Sequence, residues 1–218
     1  LEPLHPADIA DLIEQLGTTD RARFIRLYDK EFYGEILAEI DEHIREEVIS
    51  ELNPDVLAEA VRDLESDDVV DLVEDLEEEQ KQTILGALDE GDRVAVKSLL
   101  SYPEHSAGRL MQREVVIAPE HWSVGKAIDF LRSNANLPEQ FYHIVLVDPR
   151  LHPVGNVSLG KLMSSKRSVL LEEIIEDAFQ VIPADQNEAD VAYAFNQYHL
   201  ISAPVVDREN RVVGVITI

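Results

Sequence analysis

Apolar residues recur on a twelve-residue ladder through the first hundred positions. Leu16, Ile40, Leu52, Leu64, Leu76, Leu88 and Leu100 stand on it, and Tyr28 takes the remaining rung. Each rung closes a short amphipathic segment, such as Ala7–Leu16, Phe32–Ile40, His43–Leu52 or Val56–Leu64. Helix-start chemistry lies between rungs, in Thr18-Thr19-Asp20, Asn53-Pro54-Asp55 and Ser66-Asp67-Asp68, where short polar side chains cap and proline fits the first turn. Segments of about 8–11 residues are too short to be stable alone in water. The pattern therefore predicts about eight short helices across residues 5–101, stacked as a superhelical repeat.

One stretch is extreme. Glu65–Glu79 holds nine carboxylates and no Lys or Arg. Val69, Leu72, Val73 and Leu76 follow the i, i+3, i+4, i+7 spacing of one buried helix face. Asp67, Asp71, Glu74 and Glu78 then fall on the opposite face. Like charges at i,i+4 destabilise a helix by roughly 0.2–0.5 kcal/mol per pair. Such a face suits bulk water or a cation.

The pattern changes after Leu100. Ser101–Gly108 is turn-rich and reads as a linker. Beyond it, β-branched runs alternate with helical ones. Strands are predicted at Val115–Ala118, Ile144–Val147, Val154–Val157, Phe179–Ile182, Pro204–Val206 and Val212–Ile216, and helices at Ser123–Ser133 and Glu188–Gln197. The series is a tandem. Ile144–Asp148 matches Ala203–Asp207, Val154-Gly155 matches Val213-Gly214, and Ala118-Pro119 matches Ile182-Pro183. The offset changes between these pairs by an insertion near Ala135–Glu139 in the first copy. A β-α-β-β unit cannot close its core alone, so the copies should pack face to face.

Charge sharpens the division. The chain of 218 residues carries a net −25, and residues 1–101 hold 29 of its 44 acids but 9 of its 19 Lys and Arg. Such a chain repels nucleic acid and anionic membrane surfaces and favours cations and basic surfaces. With 45% hydrophobic residues it is not a disordered chain. The absence of cysteine excludes disulfides, thiolate metal sites and thiol catalysis. No catalytic set assembles: H-E-x-x-H, Walker A, G-x-S-x-G and EF-hand spacings are all missing. The expected function is non-enzymatic. No apolar run reaches the length of a membrane span and no signal peptide opens the chain. A start at Leu1 and an apolar finish at Val212–Ile218 lead us to expect a fragment of a longer protein. Asn156-Val157-Ser158 fits a glycosylation sequon, but it falls in a strand and reads as chance.

The tandem resembles a pair of CBS modules. Tyr102-Pro103-Glu104-His105-Ser106-Ala107-Gly108-Arg109-Leu110-Met111 resembles the junction between the N domain and CBS pair of MgtE-type magnesium channels, and the twelve-residue repeat resembles that family's N domain. The resemblance covers essentially the whole chain. It implies an α + α/β multidomain fold: an all-α short-helix superhelical domain (1–101), a junction (102–111), a first CBS module (112–168) and a second, shortened one (169–218), each built as β-α-β-β-α. It implies the cytosolic Mg2+-sensing and gating region of such a channel, at the cytoplasmic face of the membrane. Its partners would be a transmembrane domain of the same protein and a second copy joined through the CBS pair. In the family, Mg2+ bridges acidic surfaces of the N domain, the CBS pair and a connecting helix, and favours the closed state.

Carried over by position, the implied metal-binding residues are Glu35, Asp67 and Asp71, with Asp68 and Asp75 as neighbours. Mg2+ suits such residues because it takes oxygen ligands, demands octahedral geometry and keeps several waters. The chain departs from the family at the second CBS helix, where Asn187, Ala189 and His199 stand at positions the family gives to acids, leaving Asp185, Glu188 and Asp190 nearby. Nucleotide-binding CBS modules usually show Gly-hydrophobic-x-Ser/Thr-x-x-Asp. Here Gly155–Lys161 ends in Lys instead of the ribose-holding Asp, and Gly214–Ile218 stops before it. A second reading is an adenine-nucleotide-sensing CBS regulator with a partner-binding helical domain. A third is a helical adaptor similar to the helical repeats of flagellar motor switch proteins.

Overall fold

A computed structural model describes residues 4–28, 32–62, 64–74, 76–134, 137–138 and 140–218. Asp75 and part of the Ala135–Glu139 insertion lie outside the described residues. The chain divides into two compact units, Leu1–Leu100 and Ser101–Ile218.

The first unit is helical, with α1 (Pro6–Gln15), α2 (Thr18–Tyr28), α3 (Gly34–Glu39), α4 (Glu42–Glu51), α5 (Pro54–Arg62), α6 (Ser66–Glu74), α7 (Glu78–Ala87) and α8 (Glu90–Leu100). Most of the helices pack on the next but one: α1 on α3, α2 on α4, α3 on α5, α5 on α7 and α6 on α8. That is the stacking expected of a repeat whose members are too short to stand alone. The predicted cap at Asn53 forms, and Asp41 adds another. Asn53 Oδ1 accepts from the Asp55 N–H at 2.9 Å and Asp41 Oδ1 from the His43 N–H at 2.9 Å.

Most of the rungs sit just past the helices, while Tyr28 and Leu100 are the last residues of theirs. Leu16, Ile40, Leu52 and Leu88 are C-cap residues in extended conformation, with ψ between 133° and 151°. Ile40, Leu52, Leu76 and Leu88 are nevertheless buried. The ladder therefore marks where each helix stops and an apolar anchor turns the chain toward the next. This corrects the reading of Glu65–Glu79 as one helix. α6 ends at Glu74, Leu76 is such an anchor, and Glu78 opens α7, so Glu78 does not share a face with Asp67 and Asp71.

Ending helices this way leaves C-terminal carbonyls without helical partners. Two buried arginines, one in α2 and one in α4, satisfy them. Arg21 donates through Nε to the Ile13 carbonyl at 3.0 Å and through Nη2 to Leu16 O at 2.8 Å. Arg45 donates twice to Ile40 O, at 3.2 and 3.0 Å. Each also holds a carboxylate from a later helix: Glu47 for Arg21 and Asp71 for Arg45. Both arginines and both acids recur two rungs apart.

The second unit contains α9 (Ala107–Leu110), β1 (Ile117–Pro119), α10 (Val124–Ser133), β2 (His143–Val147), β3 (Pro153–Ser158), α11 (Leu159–Ser164), β4 (Ile182–Pro183), α12 (Glu188–Tyr198), β5 (Ser202–Val206) and β6 (Val212–Thr217), with a 3-10 turn at Leu171–Ile174. The sheets are β1-β2-β3 and β4-β5-β6, each with one parallel and one antiparallel pairing. The two copies repeat down to their hairpin turns. Asp148 Oδ1 accepts from Arg150 and His152 N–H, as Asp207 Oδ1 does from Glu209 and Arg211. Leu151 and Asn210 take the left-handed position in those turns, at φ 67° and 59°.

The copies complete one another by exchange. The segment before the first copy bonds to the second: Ala107 and Gly108 N–H donate to Gln186 and Ala184 carbonyls at 2.8 Å, and Gln112 N–H to Val215 O at 2.9 Å. The segment before the second copy bonds to the first: Leu171 N–H donates to Trp122 O at 2.8 Å and Glu176 N–H to Asn156 O at 2.9 Å. So Ser101–Gly108, read from sequence as a linker, ends in structure: Ser106 bridges to Asn187, and α9 packs on β4, β6 and α12. The crossing needs glycine. A Cβ on Gly155 would come within 2.8 Å of the Ile175 side chain, and one on Gly214 within 2.6 Å of Gln112 O.

Candidate functional site

The acidic helix α6 carries three of the implied residues, and they differ in what already holds them. Asp67 lies in its first turn and is half-buried. Its Oδ1 is buried and has no hydrogen-bond partner. Burial, reinforced by the neighbouring charge of Asp68 and further by Glu65, pushes its carboxyl up to about 7. Asp71 is committed: its Oδ2 accepts from Arg45 Nη1 at 2.7 Å, while its side chain stays largely exposed. Asp68 is half-buried beside Asp67, and Glu35 is exposed in the first turn of α3. α3 packs on α6. Among the described residues, no group of three or more His, Asp or Glu is close enough to share a metal ion. The set supplies oxygen ligands of the right hardness, and one orphaned carboxylate oxygen, but only part of a coordination sphere.

Sequence reasoning did not find Arg45 as the partner of Asp71. The usable signal was the pair Arg21 and Arg45, spaced two rungs apart like the acids Glu47 and Asp71 that they hold.

In the second unit the residues at the two ends of α12 serve structure. Asn187 caps α12, its Oδ1 accepting from Ala189 N–H at 3.0 Å, and it bridges to Ser106. Glu188 faces His105 at 2.9 Å. His199 ends α12 in the left-handed conformation, at φ 53°. Asp185 lines a cleft of about 660 Å³ between Tyr102-Pro103 and the Asp207–Arg211 turn. Asn156, in the apparent sequon, is buried.

Where the copies meet, His143 Nδ1 and Ser202 Oγ lie 2.7 Å apart. The two residues are equivalents in the repeat. Burial holds the His143 imidazole below its ordinary pKa, against a raising pull from Glu176, so the contact joins neutral groups. On one side of it, Ser158 Oγ donates to Glu176 Oε1 at 2.7 Å, and Lys161 Nζ donates to Ile175 O at 2.9 Å. The Ser158 bond, with the Lys161 charge, holds the Glu176 carboxyl below its usual range. On the other side, Thr217 Oγ1 and Gln112 Oε1 stand in the same places, 3.4 Å apart.

Comparison with known proteins gives a consistent picture. The MgtE intracellular N domain family matches residues 4–105, and the CBS domain family matches residues 107–167 and 171–218. The magnesium transporter MgtE of Bacillus subtilis is 27% identical over 222 residues, covering all of this chain and 48% of that protein. The magnesium transporter MgtE of Thermus thermophilus is 33% identical over 131 residues, covering 60% of this chain and 29% of that one. The chain thus spans about half or less of the curated relatives it matches. Among solved structures, the cytosolic domain of the Mg2+ channel MgtE in complex with ATP superposes with a TM-score of 0.88 at 29% identity, over 99% of this chain and 88% of that one. The soluble part of a magnesium transporter shares the fold, with a TM-score of 0.84 at 24% identity, over 99% of this chain and 85% of that one.

Proposed function

Because this chain belongs to the MgtE family, carrying that family's intracellular N domain ahead of a CBS pair, we propose that it is the Mg2+-sensing, gating part of a magnesium channel at the cytoplasmic face of the membrane. The observation that carries the reading is Asp67, a half-buried carboxylate with an unpartnered oxygen on the most acidic helix of a strongly acidic unit. Asp67 and Asp68 would hold the ion with the exposed oxygen of Asp71 and with Glu35 close by. Bound Mg2+ supplies the positive charge that lets facing acidic surfaces approach, keeping part of its water shell. Without it, ionised Asp67, Asp68 and their neighbours repel any acidic surface brought against them. Each ion bound only in the compact arrangement stabilises it by RT ln(1 + [Mg2+]/Kd), about 1.4 kcal/mol at ten times Kd. Several weak sites acting together give a steeper response than one.

Small-angle scattering of the chain, and of the longer protein that contains it, is the test. Millimolar Mg2+ should compact the particle, and Asp67→Ala should shift the midpoint to higher Mg2+. No change in size in the longer protein would sink the gating reading. Asp71→Ala is a poorer probe, since it also strands Arg45.

We also propose that the chain dimerises through its CBS pair. α12 buries Val191 but leaves Tyr193 65% and Tyr198 50% exposed, with Ile201 at 42% beside them, a concentration of large apolar groups suited to a second copy. Sedimentation velocity of wild type against Tyr193→Glu reads this directly. A second functional reading, nucleotide sensing, is favoured by one observation: a relative with this fold was solved with ATP. Calorimetry with ATP, ADP and AMP separates it from the Mg2+ response.

A further inference from the structure

At His143 and Ser202 the internal repeat faces itself. His143 opens β2 and Ser202 opens β5, at equivalent places in the two copies. Nδ1 of the first and Oγ of the second lie 2.7 Å apart. Each also stands opposite a hydroxyl residue of its own sheet, Ser158 for His143 and Thr217 for Ser202. One copy thus brings to the seam a ring that can gain a proton, and the other brings only an alcohol. Ser202 is buried and His143 half-buried. A charge formed there stands between the copies with little water around it.

We propose that this contact makes the seam acid-labile: protonation of His143 loosens the joint between the two CBS copies. The first reason is the count of donors. A neutral imidazole can accept the Ser202 proton at Nδ1 or donate to Ser202 Oγ, whereas an imidazolium can only donate. On protonation the Ser202 proton must turn away from the ring. The second reason is that the surrounding charges are poorly placed to balance a cation. Glu176, from the segment that joins the copies, is the carboxylate whose field reaches the ring. Its Oε1 already accepts from Ser158, and its Oε2 faces Lys161 Nζ, a like charge to the imidazolium, at 3.8 Å. Glu114 and Tyr142 line the small cavity that His143 and Ser202 share, together with the neutral groups of Gln112, Gln140 and Thr217. Burial outweighs the pull of Glu176 and holds the ring below its ordinary value of 6.5. Below that pH the folded chain therefore carries fewer protons on His143 than the unfolded chain does. The seam is firmest above pH 6.5 and weakens as pH falls through the window beneath it. Glu176, held below its usual range by the Ser158 bond, stays ionised through that window. The proposal goes beyond the Mg2+ reading and does not depend on it.

The test compares the whole chain with His143→Asn, which keeps a hydrogen-bonding group near the place of Nδ1 and cannot take up a proton. Hydrogen exchange, corrected for the intrinsic effect of pH, reads the amides that tie the copies together: Gln112, Leu171, Glu176 and Val215. Their opening constants in wild type, relative to the variant, should rise about threefold or more from pH 7.5 to pH 5. Every other titrating group is common to both proteins, so the ratio belongs to residue 143. An NMR titration of the wild-type His143 ring, assigned through the β2 backbone, needs no variant and should show a midpoint below 6.5. Either of two results overturns the proposal: a ratio that stays flat with pH, or a ring that titrates at or above 6.5.

Discussion

The helical unit and the α/β unit both repeat, but they repeat differently. In the first, the repeat translates. Most of the short helices lean on the next but one, and Arg21 and Arg45 each tie a helix end to an acid further along. In the second, the repeat rotates about an internal two-fold, and each copy is finished by the segment that precedes the other. A translated repeat passes disturbance along a row, from one neighbour to the next. An exchanged pair shares every disturbance at once, because neither copy has a complete edge of its own.

Five substitutions separate these behaviours, in descending order of effect. Gly214→Val drives a Cβ into the Gln112 carbonyl, which is backbone and cannot swing aside. We expect about 3 kcal/mol or more of destabilisation, with both CBS copies melting together. Loss of the second copy alone, seen as residual protection of β1–β3 in hydrogen exchange, would contradict the exchange picture. Gly155→Val meets the Ile175 side chain rather than backbone and should cost less.

Arg45→Ala comes next. It frees the Ile40 carbonyl and leaves Asp71 without its partner. The expected loss is about 2–3 kcal/mol, confined to the helical unit in urea melts. An equal loss in both units would mean that they do not unfold separately.

Asp67→Asn should act in the opposite direction. The folded unit keeps a proton on Asp67 up to about pH 7, whereas the ordinary carboxyl value is 3.8. Between those values the folded state binds a proton the unfolded chain has lost, so stability falls as pH rises through the window and stays lower above it. Asn fixes the neutral form. It should stabilise the helical unit by about 1–2 kcal/mol at pH 8 and by nothing near pH 3.5. Equal melting of the two proteins at both pH values would remove the buried carboxylate from consideration. The smallest effect belongs to Ser202→Ala, which deletes the bond to His143 between the copies, at about 0.5–1 kcal/mol.

Much of the architecture could be read from the chain because burial imposes a period. The twelve-residue ladder gave the number of helices in the first hundred residues, and the recurring strand-Asp-turn-Val-Gly pattern gave the tandem. Helix ends were harder. The i, i+3, i+4, i+7 rule runs on through Leu76 because an anchor just past a helix and a residue on its last turn are both apolar. α11 was not read from the hydrophobic pattern and was expected only as the closing helix of the β-α-β-β-α unit that the resemblance implied; its cap, Ser158, is the last residue of β3. The acids of the candidate site were visible as charges, but their states were not. Asp67 and Asp71 are four positions apart on one helix. One lacks a partner for Oδ1 and the other is bound to an arginine twenty-six residues away, a difference set by what packs against each, which no local pattern records. Likewise Lys161 stood out as a departure, while its tie to the Ile175–Glu176 segment needed the fold.

The exchange of segments also settles where a pull on the chain is felt. Ser106, Ala107 and Gly108 precede the first CBS copy in sequence, yet their bonds run to Ala184, Gln186 and Asn187, at the root of α12. His105 extends the attachment, its carbonyl accepting from Glu188 N–H at 2.9 Å. The junction is thus a handle on the second copy. Tension or twist arriving at Ser101 bypasses the nearer module in sequence and loads α12, a helix with large exposed aromatic groups.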